Sequence, residues 1–176
     1  MVMKLNGSVV ASAQEVLDNR KQWEDALSGD GPRKYRQHRC ALASSSYQSF
    51  CCLGVAAEAV TDLKLVRVPG GHYYRNDRDE RVSGGLTVNE LKLLGLTGEM
   101  QDYLVRLNDV RHVPLKIIGA VLRMLPVINP DSDAPIESRP FVVGSLFSHG
   151  SFDHHAFEAD SEVASLLKNY QKDYVN

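Results

Sequence analysis

Two adjacent cysteines, Cys51 and Cys52, are the side chains of this sequence best suited to act as nucleophiles. They open an apolar run with helical character, and the free N–H groups and dipole of a helix N-terminus lower the pKa of a thiol placed there. A cysteine nucleophile also needs a histidine base and an orienting Asn or Asp. The side chains available for these two roles are His72, His112 or His149 as the base, and Asp77 or Asn76 as the orienting group. The sequence thus contains the parts of a cysteine-dependent hydrolase or transferase.

The cysteine run has a second interpretation, which is tight packing. Cysteine is among the most buried residue types, and Gly54 in the string Phe-Cys-Cys-Leu-Gly-Val allows a neighbouring element to approach closely. Small and apolar side chains continue from Phe50 to Val60, which is typical of a helix buried on nearly all sides. We therefore expect residues 50–60 to form the central helix of the fold.

A histidine-rich segment in the last part of the chain offers ligands for a metal ion. Three imidazoles and a carboxylate fall within seven positions there, at His149, Asp153, His154 and His155. These side chains suit zinc or another divalent ion, although their spacing matches no common zinc motif. The alternative is a polar loop in which Asp153 lies near a helix start. His38 and Cys40, together with the two adjacent cysteines, form another conceivable tetrahedral set.

Two stretches have the composition of a binding surface. Residues 33–39 interleave cations with an aromatic ring, and the last part of the chain contributes phenylalanines, which together with arginine dominate interface energetics. The residues predicted to bind are Arg33, Tyr35, Arg36, Arg39, Phe147 and Phe152, with Phe141 and Phe157 beside them. Asn108 and Asp109 are further binding candidates. Their other interpretation is a turn held by bonds from side chain to backbone.

Composition excludes several classes of protein. The 176 residues include 20 Lys and Arg against 22 Asp and Glu, a balance that lacks the cationic excess of a general nucleic-acid binder. No Walker, dinucleotide-binding or Gly-x-Ser-x-Gly motif occurs, and we predict no cofactor. No stretch has the length of a membrane span or the pattern of a signal peptide, so we expect a cytoplasmic protein that contacts no membrane.

Hydrophobic periodicity and capping residues predict the elements that must position these side chains. Helices are expected over residues 13–27, capped by Ser12 and Glu15, and over residues 114–125, with two short helices after Thr87 and Thr97 that are separated at Gly95. A short hairpin is expected around residues 44–46. Strands are expected at residues 63–68 and 72–75, with a third near Val82. A strand over residues 141–147 and a helix over residues 160–170 complete the prediction.

This order of elements predicts an α+β fold: a helix-rich single domain with a small antiparallel sheet. Residues 1–127 are expected to form the core domain. Residues 128–176 comprise a proline-rich connection, a strand and a C-terminal helix, which either pack on the core or are appended to it.

Several short strings resemble a family of small uncharacterised bacteriophage proteins. The strings are Trp23-x-x-Ala26-Leu27, the Cys-Cys-Leu-Gly-Val run, Leu94-Gly95-Leu96 and Leu107-Asn108-Asp109, and they span most of the chain. After the Leu-Asn-Asp string, members of that family have a small flexible turn and a Phe-x-x-Ile-Ala helix, whereas this chain has residues 110–119 there. The segment from Ile128 onward is not a feature of the family.

The resemblance implies a phage or prophage gene expressed in a bacterial cytoplasm, and it implies no reaction. We expect an accessory protein that acts by binding, either as a modulator or inhibitor of a host protein or defence component, or as a protein that sequesters a small ligand. The alternative is the cysteine-dependent hydrolase or transferase. The expected partner is thus a host protein or a small ligand, and a homo-oligomer is compatible with the same sequence.

Overall fold

A computed structural model of the chain describes residues 3–5, 8–82, 84–132, 134–136, 146–148 and 151–173, and it is rich in helix. The α-helices within these ranges are α1 (Ala13–Ser28), α2 (Cys52–Ala59), α3 (Val88–Leu93), α4 (Gly98–Val105), α5 (Leu115–Met124), α6 (His154–Glu158) and α7 (Ser161–Asp173). A π-helical turn, Arg106–Val110, extends α4. The fold is the expected helix-rich α+β single domain.

In the part of the chain that the structure describes, the strands are short and form four separate small sheets. They are β1 (Met3–Leu5), β2 (Ser8–Val10), β3 (Arg36–Gln37), β4 (Ser49–Phe50), β5 (Lys64–Val68), β6 (Gly71–Arg75), β7 (Arg81–Val82), β8 (Phe147–Ser148) and β9 (Ser151–Phe152). The largest sheet has the order β5-β6-β7 and is antiparallel, as predicted. The hairpin expected around residues 44–46 is reduced to one antiparallel bridge, and β4 pairs in parallel with β3 instead.

Local capping explains where α1 begins and ends. The Ser12 hydroxyl accepts a hydrogen bond from the Glu15 N–H, and the Glu15 carboxylate accepts one from the Ser12 N–H at 2.7 Å. At the other end Gly29 adopts a left-handed conformation with φ 82°, which glycine adopts without steric cost. The predicted helix over residues 13–27 is therefore confirmed.

Helix α2 is the buried central helix that the sequence predicts. Its residues from Cys52 to Ala57 are buried, and the Cys51 sulfur caps its first turn by accepting a hydrogen bond from the Gly54 N–H at 3.3 Å. A Cβ added at Gly54 would lie 2.6 Å from the carbonyl carbon of Leu42 and closer still to its oxygen. Only glycine allows this approach of two backbones.

Buried polar side chains, as well as apolar contacts, hold the helices of the core together. The Trp23 indole N–H donates to the Cys52 carbonyl at 3.0 Å and ties α1 to α2. Arg20 is fully buried, and its guanidinium donates to the carbonyls of Leu94, Gly95 and Pro126 at 2.9 to 3.2 Å. This side chain fastens α1 to the ends of α3 and α5, a role that the helical periodicity of α1 did not reveal.

The described part of the C-terminal segment packs on the main core. Phe152, Phe157, Val163 and Leu167 belong to the same apolar cluster as Trp23. The predicted last helix is present as α7, whereas α6 was not predicted. Of the predicted strand over residues 141–147, Leu146 and Phe147 lie within the described residues, and Phe147 is part of β8. Within the described ranges, no helix combines the length and apolar character required to cross a bilayer.

Candidate functional site

A pocket of about 230 Å³ lies where four separate segments of the chain meet. These are the start of α1, the connection from α2 to β5, the turn between β6 and β7, and helix α3. The lining residues are Ala11, Glu15, Asn19, Val60, Thr61, Asp62, Leu63, Asn76, Asp77, Arg78, Asn89, Glu90 and Leu93. Four of these thirteen residues are apolar and nine are polar or charged, so the wall offers a ligand both apolar surface and hydrogen-bonding groups.

Part of the polar lining is held in place by bonds within the protein. The Asn76 side-chain oxygen accepts from the N–H groups of Arg78 and Glu80 at 3.0 and 2.9 Å, which shapes the turn between β6 and β7. The Asn19 amide donates to the Leu93 carbonyl at 3.1 Å, and the Glu90 carboxylate caps α3 through the Thr87 N–H at 3.0 Å. These bonds make the wall a preformed structure.

Four polar side chains of the lining are free to contact a ligand. Asp62, Asp77, Arg78 and Asn89 are exposed, and none of these side chains has a hydrogen bond or ion pair within the described part of the chain. They come from three of the four segments, so a molecule in the pocket would be contacted from several sides. The turn that carries Asp77 and Arg78 is rigid because Asn76 holds its backbone.

The pocket is acidic. Glu15, Asp62, Asp77 and Glu90 carry carboxylates, whereas Arg78 carries the only cation among the lining residues. Hydrogen bonds from the Ser12 N–H and hydroxyl lower the pKa of Glu15, which is therefore ionised at neutral pH. This charge distribution favours a ligand that carries a positive group.

No family model, curated protein or solved structure matches this chain. The function must therefore be argued from the chain's own residues and their geometry.

The two adjacent cysteines occupy the position predicted for them but not the expected electrostatic environment. Burial raises the pKa of Cys51 to about 11 and that of Cys52 well above its ordinary value, and the negative charge of Asp109 acts in the same direction on both. The expectation that the helix N-terminus lowers the thiol pKa is therefore wrong, because loss of solvation outweighs the helix dipole. Cys51 caps α2, and Cys52 points at the Leu104 carbonyl, 3.7 Å away.

The remaining predicted catalytic side chains lie in other surroundings. His72 packs edge-on against the Tyr47 ring at 5.2 Å, and Asp77 lines the acidic pocket. The two thiols make their polar contacts with backbone groups. In the residues that the structure describes, the predicted catalytic set is thus divided between the core, the sheet and the pocket. The alternative base His149 lies outside the described residues.

The predicted metal ligands have other roles where they are described. The Asp153 carboxylate caps α6 by accepting from the N–H groups of His155 and Ala156 at 3.0 and 3.1 Å. The His154 imidazole accepts from Arg106 at 3.2 Å, which requires an unprotonated ring nitrogen. The described ranges hold no group of three His, Cys, Asp or Glu side chains arranged for a metal ion, and that includes His38, Cys40 and the cysteine pair. His149 falls outside those ranges.

The predicted binding residues divide into surface and core. Arg33, Arg36 and Arg39 are all exposed, and the Arg33 guanidinium lies 5.0 Å from the centres of the Tyr35 and Phe50 rings. Arg33 also pairs with Glu58 at 3.1 Å, so Arg33 and Tyr35 are part of a cluster within the fold.

The aromatic surface expected near the C-terminal end is wrong for its main members. Phe152 is 7% exposed and Phe157 is fully buried, because both pack against Tyr103 at ring distances of 5.9 and 5.8 Å. Phe147 is half-buried beside Phe152, and Phe141 lies outside the described residues.

The Asn108-Asp109 pair has the structural role that was its alternative interpretation. Asn108 is fully buried, and its amide joins the π-helical turn to β3 by hydrogen bonds with Gln37 and with the His38 carbonyl. Asn108 also donates to the Asp109 carboxylate at 2.6 Å.

Sequence reasoning identified Asn76 and Asp77 but missed the rest of the pocket. Asp62 lies far from the adjacent residues Asn89 and Glu90 in the sequence, and the three residues share no motif. In the sequence, the polar residues after Val60 and at the start of α3 are typical of ordinary surface or helix-capping positions. Only the packing of α1 against α3 and of the sheet beside α2 brings them together.

Proposed function

We propose that this protein binds and sequesters a small ligand that carries a cationic amino group, in the pocket between α1, α3 and the turn from β6 to β7. In keeping with the phage resemblance, we propose that it does so as a phage accessory protein in the cytoplasm of a bacterial host. The observation that carries the proposal is the preformed acidic pocket with its unpaired Asp62 and Asp77. Binding of this kind requires no reactive group.

The pocket restricts the ligand by size and by polarity. A volume of about 230 Å³ suits a small metabolite, since it lies just below the usual range for drug-sized ligands. The apolar lining of Ala11, Val60, Leu63 and Leu93 would cover an aliphatic body, and the carboxylates would pair with ammonium groups. An aliphatic amine meets both requirements.

Calorimetry and thermal melting with cadaverine, a five-carbon diamine, test the proposal. Its matched control is 1,5-pentanediol, which has the same carbon chain and no charge. We expect cadaverine to raise the melting temperature through preferential binding to the folded state and pentanediol to leave it unchanged.

Two variants locate the binding. Asp62→Asn and Asp77→Asn keep the side-chain shape and remove the charge, and each should weaken cadaverine binding by about tenfold because a charged hydrogen bond is lost. Asp131→Asn, an exposed position outside the pocket, is the control and should bind as the unaltered protein does. Equal affinity for the amine and the diol, or unchanged binding by both pocket variants, would contradict the proposal.

A further inference from the structure

A row of three cations crosses the outer face of the three-stranded sheet. Lys64 of β5 stands directly opposite Arg75 of β6, and Arg75 stands directly opposite Arg81 of β7. Residues directly opposite each other in antiparallel strands point to the same face, so the three side chains lie side by side. The buried face of the same sheet carries Tyr74 and Val82.

The folded chain neutralises this row only in part. Arg75 forms an ion pair with the exposed Asp79, whereas Lys64 and Arg81 have no carboxylate partner in the part of the chain that the structure describes. Like charges directly opposite each other destabilise a sheet. The row therefore opposes folding at this position, and an external anion would relieve the repulsion.

Apolar surface adjoins the cations on the same face. Val66 stands opposite Tyr73, and this is the next pair of residues on the same face of the sheet after Lys64 and Arg75. Val68 follows two residues after Val66 and is 42% exposed. Together, Lys64, Val66, Val68, Tyr73, Arg75 and Arg81 form what we call the outer face. A stripe of cations beside the half-buried Val66 and the exposed Val68 matches a partner segment that presents carboxylates next to aliphatic side chains.

The Tyr73 ring distinguishes between the two main classes of polyanion. The guanidiniums of Arg81 and Arg75 lie over this ring at 4.8 and 5.5 Å from its centre. A nucleic-acid base would need the ring surface for stacking, and the arginines already cover it.

We propose that the outer face docks an acidic segment of a partner protein, whose carboxylates pair with Lys64, Arg75 and Arg81. The guanidinium groups of Arg75 and Arg81 lie against the Tyr73 ring, which orients them for paired hydrogen bonds to carboxylates. This interaction goes beyond binding of a small ligand and uses a separate surface, since none of the outer-face residues lines the acidic pocket.

Fluorescence anisotropy with a labelled glutamate-rich peptide that contains interspersed leucines tests the proposal on the full chain. We expect binding that weakens as salt is added, and an oligothymidylate of equal charge should bind more weakly than the peptide. The double variant Lys64→Gln/Arg81→Gln should weaken peptide binding by about tenfold. Its melting temperature should be unchanged or higher, because two repelling charges are removed from the row.

The matched control is Arg36→Gln/Arg67→Gln, which removes the same charge from exposed positions off the outer face. Arg67 lies on β5 but points to the opposite side from Lys64. The control should retain peptide binding within twofold after correction for net charge. Equal losses in the two double variants, tighter binding of the oligothymidylate, or no binding of the peptide would each overturn the proposal.

Discussion

Gln37 donates a hydrogen bond to the Asn108 side-chain oxygen at 3.0 Å, although the two residues are 71 positions apart in the chain. The Asn108 amide also donates to the His38 carbonyl at 2.9 Å, and Gln37 donates to the Val113 carbonyl at 2.8 Å. The π-helical turn is thus fastened to β3 by a network in which buried polar atoms satisfy one another. Deletion of one member removes hydrogen bonds from partners that are partly shielded from solvent.

Asn108→Ala should therefore destabilise the protein strongly. Loss of the amide leaves the partly buried His38 carbonyl without this donor and removes one of the two acceptors of the Gln37 amide, and we expect the free energy of unfolding to fall by about 1 to 3 kcal/mol. Urea denaturation measures this change. The control Asn89→Ala, at an exposed position, should change stability by less than about 0.5 kcal/mol. Similar effects of the two substitutions would contradict the network's role.

Native thiol labelling should separate Cys40 from the two adjacent cysteines. Cys40 is exposed, whereas Cys51 and Cys52 are buried and have raised pKa values. We expect iodoacetamide to modify only Cys40 in the folded protein and all three cysteines in denaturant. Mass spectrometry identifies the sites, and Cys40→Ser should remove native labelling altogether. Rapid native modification of Cys51 or Cys52 would instead favour the cysteine-dependent enzyme.

Gly54→Ala should be among the most damaging single substitutions. The new methyl group would overlap the Leu42 backbone, which also accepts a hydrogen bond from the Cys51 N–H at 3.1 Å. We expect a loss of about 3 kcal/mol or more of unfolding free energy, measured by denaturant titration. Gly98→Ala is the matched control, because a Cβ at that position meets nothing within 4 Å. A stable Gly54→Ala protein would show that the two backbones separate easily.

Protonation of His154 should weaken the fold in mildly acidic solution. Burial, with the positive charges of His155 and Arg106, lowers the pKa of His154 below its ordinary value of 6.5. The unfolded chain therefore takes up this proton first, so the free energy of unfolding falls as the pH decreases below 6.5 until the folded form is also protonated. His154→Asn should flatten this part of the pH profile, measured by urea denaturation at several pH values.

Arg106→Gln provides the matched test of the cause. This substitution removes one cation that opposes protonation, and it should reduce the acid sensitivity without abolishing it. An unaltered pH profile in both variants would show that His154 does not contribute to acid sensitivity.

The local elements of the fold were predictable because their signals lie within a few residues of each other. Ser12 and Glu15 satisfy each other's backbone N–H groups across three positions, and this pairing alone places the start of α1. The apolar stripe of Leu115–Met124 likewise needs only helical geometry to form a buried face. The short α6 was missed because its histidines look like metal ligands, whereas the Asp153 cap that starts it is a weaker signal.

The properties that bear on function depend on contacts between distant parts of the chain. The sequence by itself determined the helices other than α6, the three-stranded sheet and the adjacent cysteines at a helix start, since each follows from local hydrogen bonds and residue periodicity. The tertiary structure decided that Cys51 is buried, that Asp62, Asp77 and Asn89 meet in one pocket, and that Lys64, Arg75 and Arg81 share one face. Burial, pocket formation and strand register arise only when segments far apart in sequence pack together. A local sequence pattern does not indicate which of these segments will be in contact.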